Sequence, residues 1–187
     1  MEIEVKARLK DKNAVMRKLA DLGCVFSKPK TQDDMVYAEK TGSLETFLSN
    51  DVFLRIRIQD GSKVIFTVKK PAQKSNEMLV KYEHEVVVDS AEELKGALSL
   101  MGFSEVVRTK KMRQTAHYGD YEICIDEIEG LGAFIELEQM AAKEGAEEIQ
   151  KRMFEFLLTL GVEKEDQVKK GYDILMIESS RTKVDSM

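Results

Sequence analysis

Tryptophan is absent from this 187-residue sequence, and cysteine and histidine occur only twice each. Cys24 and Cys124 are far apart and form no CxxC or Cys/His spacing. That excludes a disulfide framework or a zinc site as the organising principle, and both read as small core residues. His84 and His117 stand alone, His84 with the parity of an apolar strand face, so neither suggests a catalytic dyad. No apolar run approaches the roughly 20 residues a membrane-spanning helix needs. The sequence opens on a charged strand instead of a signal peptide's basic and apolar regions, so the expected compartment is the cytoplasm. An excess of basic residues is missing too: a net charge of −5 and a pI near 5.3 argue against broad binding to nucleic acid or to an anionic membrane. Any anionic ligand must be drawn by a local cluster of basic groups. What is present, 43% hydrophobic and 34% charged residues, supplies one substantial core. The expectation is a single domain over residues 1–178 and a short disordered charged tail over 179–187.

Three helices are expected. Residues 11–22 carry Val15, Met16, Leu19 and Leu22 behind Asp11 or Asn13 as N-cap and stop at Gly23. Residues 90–101 repeat the design, with a Ser90/Glu93 capping box, a stripe of Leu94, Ala97, Leu98 and Met101, and a stop at Gly102. Residues 143–160 turn Ala146, Ile149, Met153, Phe156, Leu157 and Leu160 inward before Gly161. Strands are expected at 2–9, 25–37, 52–59, 63–70, 78–88, 104–117, 121–128 and 133–140, with turns at Asp60-Gly61 and Tyr118-Gly119-Asp120.

The strands alternate. Ile3, Val5, Ala7 and Leu9 oppose Glu2, Glu4, Lys6 and Arg8, and similar alternation recurs through nearly every strand. The charges come in like-signed pairs two residues apart: Glu2/Glu4, Glu83/Glu85, Glu136/Glu138, Arg55/Arg57 and Lys111/Arg113. A sheet with one wet face gains nothing from concentrating repulsion in this way, and a surface tuned for solubility would interleave signs. Both signs become useful together if the charged face binds a polyanion through a divalent metal: carboxylates hold the hard cation, and Arg and Lys neutralise the remaining phosphate oxygens. Closing the eight strands into a barrel would create a charged lumen with apolar faces turned outward to the helices. A weak internal symmetry agrees, since Glu2-x-Glu4, a helix and Leu22-Gly23 resembles Glu83-x-Glu85, a helix and Met101-Gly102.

Glu2-Ile3-Glu4-Val5-Lys6 resembles the ExExK signature of the CYTH superfamily, the triphosphate tunnel metalloenzymes. It is followed in order by FLRIR at 53–57, FTVKKP at 66–71, YEHEV at 82–86, KKMR at 110–113, ICIDEIEGLGAFIELE at 123–138 and GYDIL at 171–175. The resemblance implies an α+β fold: an eight-stranded antiparallel closed β-barrel, the tunnel, with flanking α-helices, binding triphosphate with Mg²⁺ or Mn²⁺. Carried over by position, it implies metal-site carboxylates at Glu2, Glu4, Glu136 and Glu138 with Asp126 nearby, and Glu83 and Glu85 binding metal or setting the charge balance. Arg55, Arg57, Lys69, Lys111 and Arg113 are the implied phosphate clamp, and Lys6, Lys69 and Asp126 the implied catalytic residues. Gly130 and Gly132 fit a strand connection better than a phosphate loop. Two departures bear on the tunnel mouth: Tyr37 stands three residues after Asp34 where the family usually has two, and Lys70 replaces the glycine often found before the proline.

Within the family the pattern is most similar to the class IV adenylyl cyclases, in which the ribose 3′-hydroxyl attacks the α-phosphorus of ATP and pyrophosphate leaves. The alternatives are an inorganic or thiamine triphosphatase releasing orthophosphate, and a non-catalytic polyphosphate or nucleotide sensor. In-line positioning and stabilisation of charge serve both reactions, so the same residues suit either. With no tryptophan to stack on a ring, Phe47, Phe53 and Tyr37 are the aromatic candidates. The expected partner is a nucleotide or another triphosphate small molecule, with no nucleic acid and no membrane, and a homodimer is compatible with the sequence.

Overall fold

Alternating strands and capped amphipathic helices both form where the residue pattern places them. The computed structural model describes residues 2–40, 52–71, 81–141 and 145–185. Its strands are β1 (Glu2–Arg8), β2 (Lys30–Glu39), β3 (Phe53–Gln59), β4 (Lys63–Pro71), β5 (Lys81–Val88), β6 (Phe103–Tyr118), β7 (Tyr121–Ile128) and β8 (Gly132–Met140). Its helices are α1 (Lys12–Asp21), α2 (Ala91–Leu100), α3 (Ala146–Thr159) and α4 (Tyr172–Asp185). Hydrogen-bonded neighbours follow the order β1-β5-β4-β3-β2-β6-β7-β8, the closed barrel expected of the sequence. Phe47 and residues 78–80 lie outside the described residues, as does the side chain of Phe53.

The chain forms two compact units. The first comprises Met1–Pro29, Ala72–Lys81 and Met112–Lys169; the second comprises Lys30–Pro71, Tyr82–Lys111 and Lys170–Met187. In the first unit, Ile3, Val5 and Ala7 of β1, Ile123 and Ile125 of β7, and Ile135 and Leu137 of β8 pack against Val15 and Leu19 of α1 and Met153 and Leu157 of α3. Burying a large apolar side chain of this kind contributes about 1.5–3 kcal/mol, so this layer dominates the unit's stability. In the second unit, Met35, Tyr37, Leu54, Ile56 and Val64 pack against Leu98 of α2, with Leu94 partly buried beside them.

Each unit contains the same strand-helix step. The Asp11 carboxylate accepts from Ala14 N at 2.9 Å to start α1, and the Ser90 hydroxyl accepts from Glu93 N at 3.2 Å to start α2. Both helices stop at a glycine in the left-handed region, Gly23 at φ +86° and Gly102 at φ +89°, where any side chain would strain the backbone. The apolar stripes are narrower than expected. Leu22 and Met101 are the C-cap residues, where the chain leaves the helix, and both are exposed, as is Ala97. The strand expected from residue 25 begins at Lys30, and the face of β5 expected to be apolar exposes His84 and Val86.

The segment expected to trail off as a disordered tail after Glu178 instead continues α4 to Asp185. Ile174 and Ile177 of this helix pack with Val36 and Ala38 of β2 and Val107 of β6. Strand alternation puts Val36 and Ala38 on the same face as Asp34, so α4 covers part of the charged side of the second unit. Among the described residues, no helix is long and apolar enough to cross a membrane.

Candidate metal and phosphate faces

The first unit concentrates carboxylates. On the register of β1, β8 and β7, Glu4 stands opposite Glu138 and Glu138 opposite Glu122, a lateral row of three acidic residues. Like charges directly opposite one another in a sheet repel, so this row is unfavourable without a cation. The next row places Lys6 opposite Glu136 and Glu136 opposite Cys124. Lys6 Nζ donates to Glu4 Oε1 at 3.0 Å and lies 2.9 Å from Glu136 Oε1. Lys6 is only 3% exposed and Glu4 7%, which rules out a solvated outer face for β1. Burial alone would push the Lys6 ammonium down, but Glu136 and Glu4 more than offset it and hold it well above the usual lysine range.

Asp126, fully buried, receives two hydrogen bonds from Arg113, at 2.7 and 2.5 Å. Arg113 also donates to Glu136 and lies 3.7 Å from Glu138. The Glu138 carboxyl is pushed up to about 8, first by burial and then by the charge of Glu136, with Glu2 and Glu4 adding to the repulsion and Arg113 opposing it. Five of the expected metal-site carboxylates, Glu2, Glu4, Asp126, Glu136 and Glu138, thus gather in this unit around two cations, Lys6 and Arg113. An oxygen-rich set in which negative charge exceeds its counter-ions suits a hard divalent cation.

Sequence reasoning missed Cys124. Its thiol and the carboxylates of Glu122 and Glu138 lie within 4.8 Å of one another. The expected core role belongs to Cys24, which packs in the first unit's apolar cluster, while Cys124 shares the charged face. The signal was in the alternation: Cys124 has the parity of Glu122 and Asp126, not of Ile123 and Ile125. Burial pushes the Cys124 thiol up, so it stands there as a neutral group.

The second unit gathers cations. Arg57 makes a two-pronged pair with Asp34, at 2.6 and 2.8 Å, and Arg55 lies 3.7 Å from the same carboxylate. Arg55 also donates to Glu85 at 3.2 Å and to Thr67 at 3.1 Å, and Lys69 lies 2.5 Å from Glu83. Burial alone would push the Asp34 carboxyl up, but the hydrogen bonds from Arg57 and the charges of Arg55, Arg57 and Lys111 bring it to about 2. Lys111 Nζ sits 5.0 Å from the centre of the Tyr172 ring, within cation–π range. Four of the five expected phosphate-clamp residues, Arg55, Arg57, Lys69 and Lys111, therefore belong to this unit, while Arg113 belongs to the first. Glu83 and Glu85 face Arg55 and Lys69, which gives them charge-balancing partners here. Tyr37 is buried with Met35, Leu54 and Ile56 on the apolar face, so it is not a ring-stacking surface beside the charges.

With the geometry in hand, comparison with known proteins is informative. The CYTH domain family model matches residues 1–172. A Methanocaldococcus jannaschii protein named "Putative adenylate cyclase MJ0240" is 32% identical over 173 residues, covering 92% of this chain and 96% of that protein. The solved structure of PH1819 from Pyrococcus horikoshii OT3 superimposes with a TM-score of 0.81 at 27% identity, covering 95% of this chain and 99% of that one. HpAC1 from Hippeastrum, named a "putative adenylyl cyclase" with a dominant triphosphatase activity, shares the fold with a TM-score of 0.66 at 21% identity over 91% of each chain. The family match spans the rows of carboxylates, the cation cluster and the strands that carry them, and by it the chain belongs to the CYTH domain family.

Proposed function

We propose that this protein is a divalent-metal-dependent enzyme acting on triphosphates, and that its reaction is the cyclisation of ATP to cyclic AMP and pyrophosphate. The observation that carries the metal requirement is the row Glu4–Glu138–Glu122, three carboxylates in register with too few cations beside them. In this reading Glu2, Glu4, Asp126, Glu136 and Glu138 would hold Mg²⁺ or Mn²⁺, which would supply positive charge to offset that of the phosphates. Arg55, Arg57, Lys69, Lys111 and Arg113 bind phosphate oxygens, the arginines through their planar two-donor edge and the lysines as point charges.

Lys6, Lys69 and Asp126 are the residues assigned to catalysis. Lys6 bridges Glu4 and Glu136 and so fixes both carboxylates, while Asp126 orients Arg113. Lys69 can exchange its contact with Glu83 for a phosphate oxygen. The lean toward cyclisation rests on the name of the Methanocaldococcus jannaschii relative at 32% identity. In the cyclase reaction the bond from the ribose 3′-oxygen to the α-phosphorus forms as the α–β bridge breaks. In the hydrolase reaction water attacks the terminal phosphorus as its bridge to the next phosphate breaks, so the diphosphate leaves and orthophosphate is formed.

Product analysis with Mg²⁺ or Mn²⁺ and, separately, ATP, tripolyphosphate and thiamine triphosphate tests the reading. Cyclic AMP with equimolar pyrophosphate supports it. Orthophosphate without cyclic nucleotide makes the protein a triphosphatase, and tight binding without any product makes it a sensor.

A further inference from the structure

Gln32 Oε1, Arg55 Nε and Thr109 Oγ1 of the second unit are buried polar atoms that have no hydrogen-bond partner among the described residues. Gln32 is 6% exposed and Thr109 3%, so neither residue is substantially open to bulk water. Their position follows from strand alternation. Asp33 and Arg108 pair with each other at 2.6 and 2.7 Å, which places Gln32 and Thr109 together on the opposite face of β2 and β6. On that face Gln32 is one same-side step from Asp34, and Thr109 one step from Lys111, a spacing of roughly 6.5–7 Å along each strand.

These atoms differ from the rest of the face in what they can bind. Arg55, Arg57, Lys69 and Lys111 offer only donors, which suits phosphate oxygens. Gln32 Oε1 can only accept, and the Thr109 hydroxyl can accept or donate. A fully ionised polyphosphate offers only acceptors, so it cannot satisfy Gln32 Oε1. A triphosphate ester whose organic group carries N–H or O–H donors can. Buried polar groups are ordinarily paired in native proteins, and an unpaired acceptor beside a cation cluster is the arrangement a mixed donor and acceptor ligand would complete.

We infer that Gln32 and Thr109 form a recognition site for the hydrogen-bond-donating organic group of a triphosphate ester, adjacent to the phosphate-binding cations. This rests on the triphosphate reading above and narrows it to organic triphosphates in preference to inorganic tripolyphosphate. Specificity of this kind is large because the wrong ligand leaves the site's buried acceptor unpaired.

The test is calorimetric titration with Mg²⁺ of α,β-methylene-ATP, which cannot cyclise, and of tripolyphosphate into the wild type, Gln32→Leu and Thr109→Val. The expected result is that each substitution weakens the nucleotide at least tenfold and changes tripolyphosphate less than twofold. An equal loss for both ligands in both variants overturns the inference, as does unchanged nucleotide affinity, which would mean that water satisfies these atoms. If Gln32→Leu fails to fold, Thr109→Val carries the same comparison. A wild type that binds neither ligand overturns both the inference and the triphosphate reading. Nucleotide binding that depends on Gln32 and Thr109, with no product from ATP, leaves the inference standing and overturns only the enzymatic reading.

Discussion

The two units share a construction and differ in their charge. Each has a strand with a Glu-x-Glu pair leading into a capped helix that stops at a left-handed glycine. In the first unit, however, carboxylates face carboxylates across the register, and Lys6 and Arg113 are the cations seen to answer them among the described residues. In the second unit each named carboxylate is matched to a cation: Asp34 to Arg57, Glu85 to Arg55 and Glu83 to Lys69. The same residue type therefore does opposite work in the two places. Glu138 of the first unit, pushed up by burial and by its acidic neighbours, is a cost that a cation would offset, while Asp34 of the second stabilises the fold by holding a cation in place.

The largest effect should come from disarming the acidic side. Glu136→Gln should lower metal-dependent turnover by about a thousandfold, about 4 kcal/mol in the barrier, with the circular dichroism spectrum unchanged. Unaltered Mg²⁺- or Mn²⁺-dependent rates would remove Glu136 from the metal set. Next in size, Asp34→Asn should destabilise the protein by about 3 kcal/mol in urea denaturation at pH 7, because Arg57 and Arg55 lose a buried counter-charge. The pH dependence of that loss has a definite sign. Asp34 titrates near 2 in the folded protein and near 3.9 unfolded, so its stabilisation is fully present above about pH 4 and is lost as pH falls toward 2. The linked contribution is about 2 kcal/mol, and the gap between wild type and Asp34→Asn should narrow by about that amount between pH 5 and pH 2. A gap independent of pH would show that Asp34 acts through packing alone.

Arg57→Ala should raise the KM for the triphosphate about tenfold while changing kcat less; an unchanged KM would take Arg57 out of the clamp. The smallest effect sharpens the contrast most. Glu138→Gln should raise the stability of the metal-free protein by about 1 kcal/mol, a shift in Tm of about 2–4 °C. Because the Glu138 carboxyl titrates near 8 when folded, folding takes up a proton between its unfolded value and pH 8, and stability falls as pH rises through that window. The gain from glutamine should accordingly be larger at pH 8 than at pH 5. A loss of stability there would place Glu138 among the matched carboxylates of the second kind.

Much of this was legible in the residue order. The alternation of Glu2, Glu4 and Lys6 with Ile3 and Val5 is a local property of one strand, and so are the turns and the caps at Asp11 and Ser90. The pairings are not local. Nothing near Arg57 in the chain announces that Asp34 will hold it, and Glu83 and Glu85 read like the other acidic pairs until Arg55 and Lys69 are placed beside them. Cys124 is buried as its residue type suggests, but its parity, not its type, places it on the charged face. Helix α4 was missed because its partners, Val36, Ala38 and Val107, are remote in sequence, and its own residues past Glu178 are mostly polar.

The placement of α4 also sets an order of assembly. During synthesis β2 and β6 leave the ribosome well before Tyr172, so the apolar patch formed by Val36, Ala38 and Val107 waits without its cover while the intervening elements emerge. The second unit can finish packing only when Ile174 and Ile177 arrive. A translational pause or a chaperone acting in that interval would therefore bear on the second unit's folding yield.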